Sequence, residues 1–177
     1  MIMRLIFLIA FFVKVLFAYS QTVYGIDINT TKANYVNLLK KKGIISPKKF
    51  ANHYLFDNVR FADIEGCKFE IGFNQETDSI TYVNIIFPHR SYDGDVSLMA
   101  TLSSQLEAKY GLGKEDEYYK SFSNSRKGGT CYEWKNPNIS LQRWWNKNIP
   151  DNWEDNKVIL WYTTKAKRGP RPVSSDL

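Results

Sequence analysis

The chain is poor in the residues that carry most enzyme chemistry. It has two histidines, His53 and His89, and two cysteines, Cys67 and Cys131. Two cysteines are too few for a disulfide scaffold or a four-cysteine zinc site. The histidines lack the i, i+4 spacing with which a helix grips a metal. The patterns Gly-x-Ser-x-Gly, Gly-x-x-x-x-Gly-Lys and Gly-x-Gly-x-x-Gly are absent. With them go the signatures of a hydrolase nucleophile elbow, a P-loop and a dinucleotide fingerprint. A Cys–His nucleophile would need an imidazole beside a thiol and a third group to orient it, and Cys67 falls on the apolar side of its segment, where a thiol is ordinarily inert core. The sequence therefore predicts a protein that is not an enzyme, with no cofactor and no metal.

The acids point the same way. Glu115-Asp116-Glu117 and the group Asp151, Glu154 and Asp155 could in principle pair for glycoside cleavage or hold calcium. Neither has the Gly-punctuated spacing of a calcium loop, and solvated loop charge accounts for both. Gly128-Gly129 reads as a flexible hairpin connection, and Arg126-Lys127 beside it as a solvated tip.

Long apolar runs are also scarce, and the one that exists is short. Met1–Arg4 is positively charged, Leu5–Val13 is unbroken apolar sequence, and Ala18-Tyr19-Ser20 supplies small residues where a signal peptidase reads. A bilayer span takes about 20 predominantly apolar residues, and Lys14 interrupts after nine. Residues 1–20 thus read as a cleavable secretory signal, with no stable membrane insertion after cleavage. The expected location is export to the periplasm or the extracellular space. No cysteine follows the signal to accept a lipid. Asn29-Thr30-Thr31 and Asn138-Ile139-Ser140 match the glycosylation sequon, which matters only in a eukaryotic secretory route. Without Arg4 and Lys14 the formal charge falls from +6 to +4, a modest balance that requires no nucleic-acid partner.

The remainder reads as one α+β domain over residues 21–165 and a basic, proline-containing tail over 166–177. A helix is expected over 31–42, capped by Asn29, Thr30 or Thr31 and stopped by Gly43. Residues 54–64 have strand character with a turn at Asp57-Asn58. Residues 67–73 alternate cleanly and pair as a hairpin with 79–87. A second helix is expected over 95–110, capped by Asp93 or Asp95. Strands follow at 118–122, 131–135, 139–145 and 157–164, with a loop at 124–129 and a polar connection at 146–156. The two helices should pack on one face of an antiparallel sheet, and the order also fits two similar α-β-β halves, 21–92 and 93–165. The cysteines sit at opposite parities. Cys67 sides with Phe69 and Ile71, whereas Cys131 lies opposite Tyr132 and Trp134, so no bridge is expected between them.

Gly25-Ile26 ahead of the first helix, Lys42-Gly43 at its end and Lys109-Tyr110-Gly111 after the second resemble a group of uncharacterised exported proteins of Bacteroidetes. The layout is similar to the paired helix-plus-sheet halves of the β-lactamase inhibitor protein. The resemblance implies a binding or envelope role and carries no catalytic residues.

What the chain does have is aromatic surface. All five tryptophans, Trp134, Trp144, Trp145, Trp153 and Trp161, lie in the C-terminal half. In a strand, Trp144 shares parity with Ser140 and Gln142 and should leave the core, while Trp145 shares parity with Ile139 and Leu141 and should enter it. Arg143, Trp144 and Trp153 are the expected binding residues. They would contact another protein or a cell-envelope component, with a glycan stacked on Trp144 or Trp153 as the alternative and a small hydrolase, for which no motif is present, as the third reading.

Overall fold

The structure, a computed structural model, describes residues 21–115, 127–135, 137–146 and 156–164; of Lys127, Gly128, Trp145 and Asn146 it describes the backbone alone. The chain opens with two short strands, β1 (Thr22–Val23) and β2 (Ile26–Asp27), paired with each other. They are joined by Tyr24-Gly25, both at positive φ, the conformation a tight two-residue hairpin requires. Helix α1 (Lys32–Lys41) follows. Thr31 caps it by accepting from the Asn34 N–H, and Lys40 and Lys41 lie in its last turn, where cations complement the dipole.

Strands β3 (Lys48–Lys49), β4 (His53–Phe61), β5 (Ile64–Phe73) and β6 (Ile80–Ile86) then run as a meander. The expected turn at Asp57-Asn58 is instead a register shift inside β4, with Asn58 at positive φ. The real turn is Ala62-Asp63, both at positive φ. Neither is glycine, and Arg60 bridges to Asp63 beside the turn at 2.8 Å. Strand β5 consequently begins at Ile64, three residues before the alternation becomes legible.

Helix α2 (Tyr92–Tyr110) starts earlier than the sequence suggests. Its cap is Ser91, whose Oγ accepts from the Gly94 N–H, rather than Asp93 or Asp95. Strands β7 (Lys114–Glu115), β8 (Lys127–Trp134), β9 (Ile139–Asn146) and β10 (Lys157–Thr163) complete the chain. The expected loop at 124–129 is thus strand from Lys127 onward. The expected strand at 118–122, the segment 147–155 and the tail lie outside the described residues.

The eight strands β3 to β10 form one antiparallel sheet in the order β3-β4-β5-β6-β10-β9-β8-β7. The first meander fills one half of the sheet and the second fills the other, and they meet at the β6–β10 pair. The fold is α+β. Its core lies on one face, where Phe69, Ile85, Leu160 and Leu141 stand opposite one another across β5, β6, β10 and β9, all buried. Both helices cover this face. Tyr35 of α1 stacks on Phe69 at 6.5 Å between ring centres, and Leu98, Met99, Leu102 and Leu106 form the buried stripe of α2. Strand alternation then sends every second residue to the opposite face, which neither helix covers.

Candidate functional site

The helix-free face is built from the residues that alternate with the core. In register across the central strands one row reads Glu70, Asn84, Trp161, Ser140 and Glu133, and the next reads Lys68, Ile86, Ile159, Gln142 and Cys131. A third places Tyr82 between Gly72 and Thr163. An antiparallel sheet with one solvated face ordinarily shows small and charged side chains there. Here two large aromatics occupy its middle. The Tyr82 and Trp161 rings meet edge-on, 5.9 Å apart at 65°. Tyr82 lies down over Gly72, where a side-chain carbon would come within 2.0 Å of its ring, so glycine at 72 is what admits the ring.

Hydrogen bonds fix these groups. Tyr82 donates its hydroxyl to Glu70 at 2.6 Å, and Asn84 donates its Nδ2 to the other carboxylate oxygen at 3.3 Å. With its amide held in that sense, Asn84 turns Oδ1 to a buried position where it accepts no hydrogen bond. On β9, Trp144 donates its indole N–H to Gln142 Oε1 at 3.1 Å, and Gln142 donates to Ser140 at 3.0 Å.

Trp144 is accordingly on the helix-free face, half-buried, opposite Lys157 of β10. Arg143 is not beside it. The guanidinium is on the helix side, 7 % exposed, and lies 4.8 Å from the ring centre of Tyr92 in the first turn of α2. The alternation that sends Trp144 outward necessarily sends Arg143 inward. Trp153 lies outside the described residues. Of the three expected binding residues, Trp144 alone is placed on this face.

Sequence spacing missed the pair His89 and Asp95. His89 follows the end of β6, and Asp95 sits on α2 in the same stripe as Leu98, Met99 and Leu102. Their side chains meet at 2.6 Å, Nδ1 to Oδ2, with both side chains under a tenth exposed. The Arg90 backbone N–H donates to the other carboxylate oxygen at 3.4 Å. An acid at helical spacing within an apolar stripe was the available signal: such a group needs a buried partner, and His89 and Arg90 are the candidates just upstream. A histidine oriented by a carboxylate is half of a nucleophile-activating unit, but no nucleophile shares a hydrogen bond with it among the described residues. The Cys67 thiol is buried on the helix side, donates to the Ile64 carbonyl at 3.4 Å, and is pushed up by burial to about 11. Cys131 is buried on the other face. Three strands separate theirs, β5 and β8, in the sheet order.

Beside His89 is a cavity of about 310 Å³ lined by Gly66, Lys68, Ile86, Phe87, Pro88, His89 and Lys157. Lys68, Ile86 and Lys157 belong to the helix-free face, so the cavity forms one end of it. Among the described residues no group of three His, Cys, Asp or Glu side chains could hold a metal ion, and no helix is long and apolar enough to cross a membrane. No protein-family model, no curated protein and no solved structure matches the chain.

Proposed function

We propose that the chain is an exported, non-enzymatic binding protein that holds another protein or a cell-envelope component against the helix-free face of its sheet. The observation that carries this reading is the composition of that face. Aromatic rings, Tyr82, Trp161 and Trp144, are interleaved with hydrogen-bonding groups that are held in place before any partner arrives, Glu70, Asn84 and Gln142. Large aromatics ringed by pre-organised polar groups are the usual energetic centre of a protein interface. A glycan platform needs ring faces presented to the ligand, and the edge-on packing of Tyr82 on Trp161 suits a protein surface better. Export rests on residues 1–20 and places the partner in the periplasm or outside the cell. The resemblance to exported Bacteroidetes proteins and the reading of 21–92 and 93–165 as two similar halves belong to the same proposal. The helix-then-meander order on both sides of the β6–β10 pair supports the reading of two halves.

The test is retention of envelope proteins on the immobilised chain, compared between wild type and Ser140→Arg, which plants a long cation in the middle of the face. A protein retained by wild type, lost with Ser140→Arg and kept by the helix-side control Lys40→Glu supports the reading. An identical retained set for both variants overturns it. Glycan-array binding that disappears with Trp144→Ala would replace it with the carbohydrate-binding alternative.

A further inference from the structure

Between Asp27 and Asp57 the sequence has no acid, and residues 28–56 hold six lysines. Residues 21–177 together carry +4, so the remainder of that stretch is net −2 and the positive excess is gathered here. Four of the six lysines flank one loop. Lys41 and Lys42 close α1, and Lys48 and Lys49 form β3, the outermost strand of its half of the sheet. All four are exposed. Among the described residues no carboxylate bridges to Lys41 or Lys42. Lys48 bridges to Asp57 at 2.6 Å with both side chains solvated, and an exposed pair of that kind holds its cation weakly. Beside these cations two apolar side chains are turned to water, Ile45 at 62 % exposure and Phe50 at 48 %. The loop is anchored. Ile44 packs against the core and donates its N–H to the Leu39 carbonyl at 3.1 Å, and Gly43 donates to the Lys40 carbonyl at 3.0 Å. Phe50 stacks on His53 with ring centres 4.3 Å apart, 9° from parallel, which covers one face of its ring.

Protection of a sheet edge does not explain the pattern. Lysines on an edge strand discourage pairing with other chains, and that would account for Lys48 and Lys49. It would not account for Lys41 and Lys42, which lie on no strand, and an exposed Ile45 and Phe50 work against it. Cations interleaved with exposed apolar side chains suit a charged surface with an apolar layer beneath it. We infer that Lys41–Phe50 is a peripheral docking surface for an anionic phospholipid bilayer. The four ammonium groups meet lipid phosphates, while Ile45 and Phe50 enter the boundary between headgroups and acyl chains. A soluble polyanion would match the lysines and leave Ile45 in water. An acidic protein would need a recess fitted to each apolar side chain, whereas a bilayer needs no such fit. The surface includes none of Tyr82, Trp161 and Trp144, so it can fail or stand separately from the function proposed for the helix-free face.

The purified exported protein is sedimented with two kinds of vesicle, one of phosphatidylcholine alone and one of phosphatidylcholine and phosphatidylglycerol in equal parts. Binding should be about tenfold or more tighter to the anionic vesicles and should weaken with sodium chloride. Lys41→Gln combined with Lys42→Gln should weaken it about five- to tenfold, and Ile45→Ser about three- to tenfold. Lys109→Gln combined with Lys114→Gln removes the same charge around Leu112, which is 90 % exposed, and should bind as wild type. These positions are exposed, and circular dichroism should show every variant folded; the comparison of vesicles and the salt dependence need no variant at all. Equal binding to neutral vesicles, binding indifferent to salt, an undiminished Lys41/Lys42 variant, or an equal loss in the Lys109/Lys114 control would each overturn the inference. So would an Ile45→Ser variant that binds as wild type, which would mark a site for any polyanion.

Discussion

On the helix side of the sheet, Phe69, Ile85, Leu160 and Leu141 meet in one row across four strands; one residue along, on the other side, the row reads Glu70, Asn84, Trp161 and Ser140. The same hydrogen-bond ladders hold both rows, so backbone geometry cannot account for the difference between them. The first row is apolar, buried and capped by Tyr35 of α1 and the stripe of α2. The second couples aromatic area to fixed donors and acceptors. The comparison teaches that the helix side concentrates buried apolar packing, while the other side couples aromatic area to fixed hydrogen bonds, the chemistry on which the proposed function rests. It can be broken by substitutions that should cost much on one face and little on the other.

The largest effect is expected at Phe69, which is fully buried and contacts the rings of Tyr24, Tyr35 and Phe56. Phe69→Ala should destabilise the fold by about 3–5 kcal/mol, measured by urea denaturation. A loss no greater than that of a helix-free-face substitution would abolish the distinction between the faces.

Next is alkaline pH, which acts on the covered side because the groups with raised pKa values sit there. Burial holds the Cys67 thiol up at about 11 and raises the hydroxyls of Tyr35 and Tyr162 well above the ordinary tyrosine value. The folded state therefore keeps protons that the unfolded chain releases. Their contribution to stability is complete below the unfolded value of the thiol, 9.0, and declines as pH rises through about 11 and beyond. The urea midpoint should fall between pH 9 and 11, and less so in Cys67→Ala relative to its own midpoint at pH 8. A midpoint flat with pH would contradict this account.

Gly72→Ala tests the helix-free side. The new methyl group would occupy the place of the Tyr82 ring, so the ring must lift and its bond to Glu70 must stretch or break. The expected cost is about 1–3 kcal/mol. The sharper readout is tryptophan fluorescence from Trp161, which loses its edge contact with Tyr82; an unaltered spectrum would mean the ring finds another seat.

The smallest change should come from Trp144→Ala. Its ring is half-buried and its indole N–H bonds to Gln142, so a thermal midpoint lowered by more than a few degrees, or about 1 kcal/mol, would make Trp144 a structural side chain and contradict the proposed function at this residue.

Much of this architecture can be read from the sequence wherever alternation is unbroken. Residues 67–73, 79–87 and 139–145 announce strands because their two parities differ in polarity, and the outward direction of Trp144 follows from the parity of Ser140 and Gln142. Elements of two residues, such as β1, β2, β3 and β7, are too short to show a period and were illegible. The Ala62-Asp63 turn was hidden because its left-handed conformation falls on residues that rarely adopt it, while Asp57-Asn58 carried ordinary turn chemistry and became an irregularity within β4. At the start of α2, Ser91, Asp93 and Asp95 could each cap a helix. The choice was made by His89, which draws Asp95 inward, and that depends on where the end of β6 meets the helix rather than on local sequence. The candidate site was legible in kind, an aromatic surface in the C-terminal half, and less so in extent. Half of the helix-free face comes from the first meander, and only the β6–β10 pairing brings Tyr82 to Trp161.

That pairing also sets an order of events in time. Among the described strands, each ladder but one joins neighbours in the chain; β6 with β10 links residues 82–86 to 159–163. Loop closure over so long a span comes late when shorter hairpins are available. The first meander must therefore persist for a while with Ile80–Ile86 as an unpaired edge, and an apolar, β-branched edge of that kind adds strands from any chain that offers one. Refolding should accordingly lose yield with protein concentration unless a folding helper, or the arriving Lys157–Thr163 strand, covers β6 first.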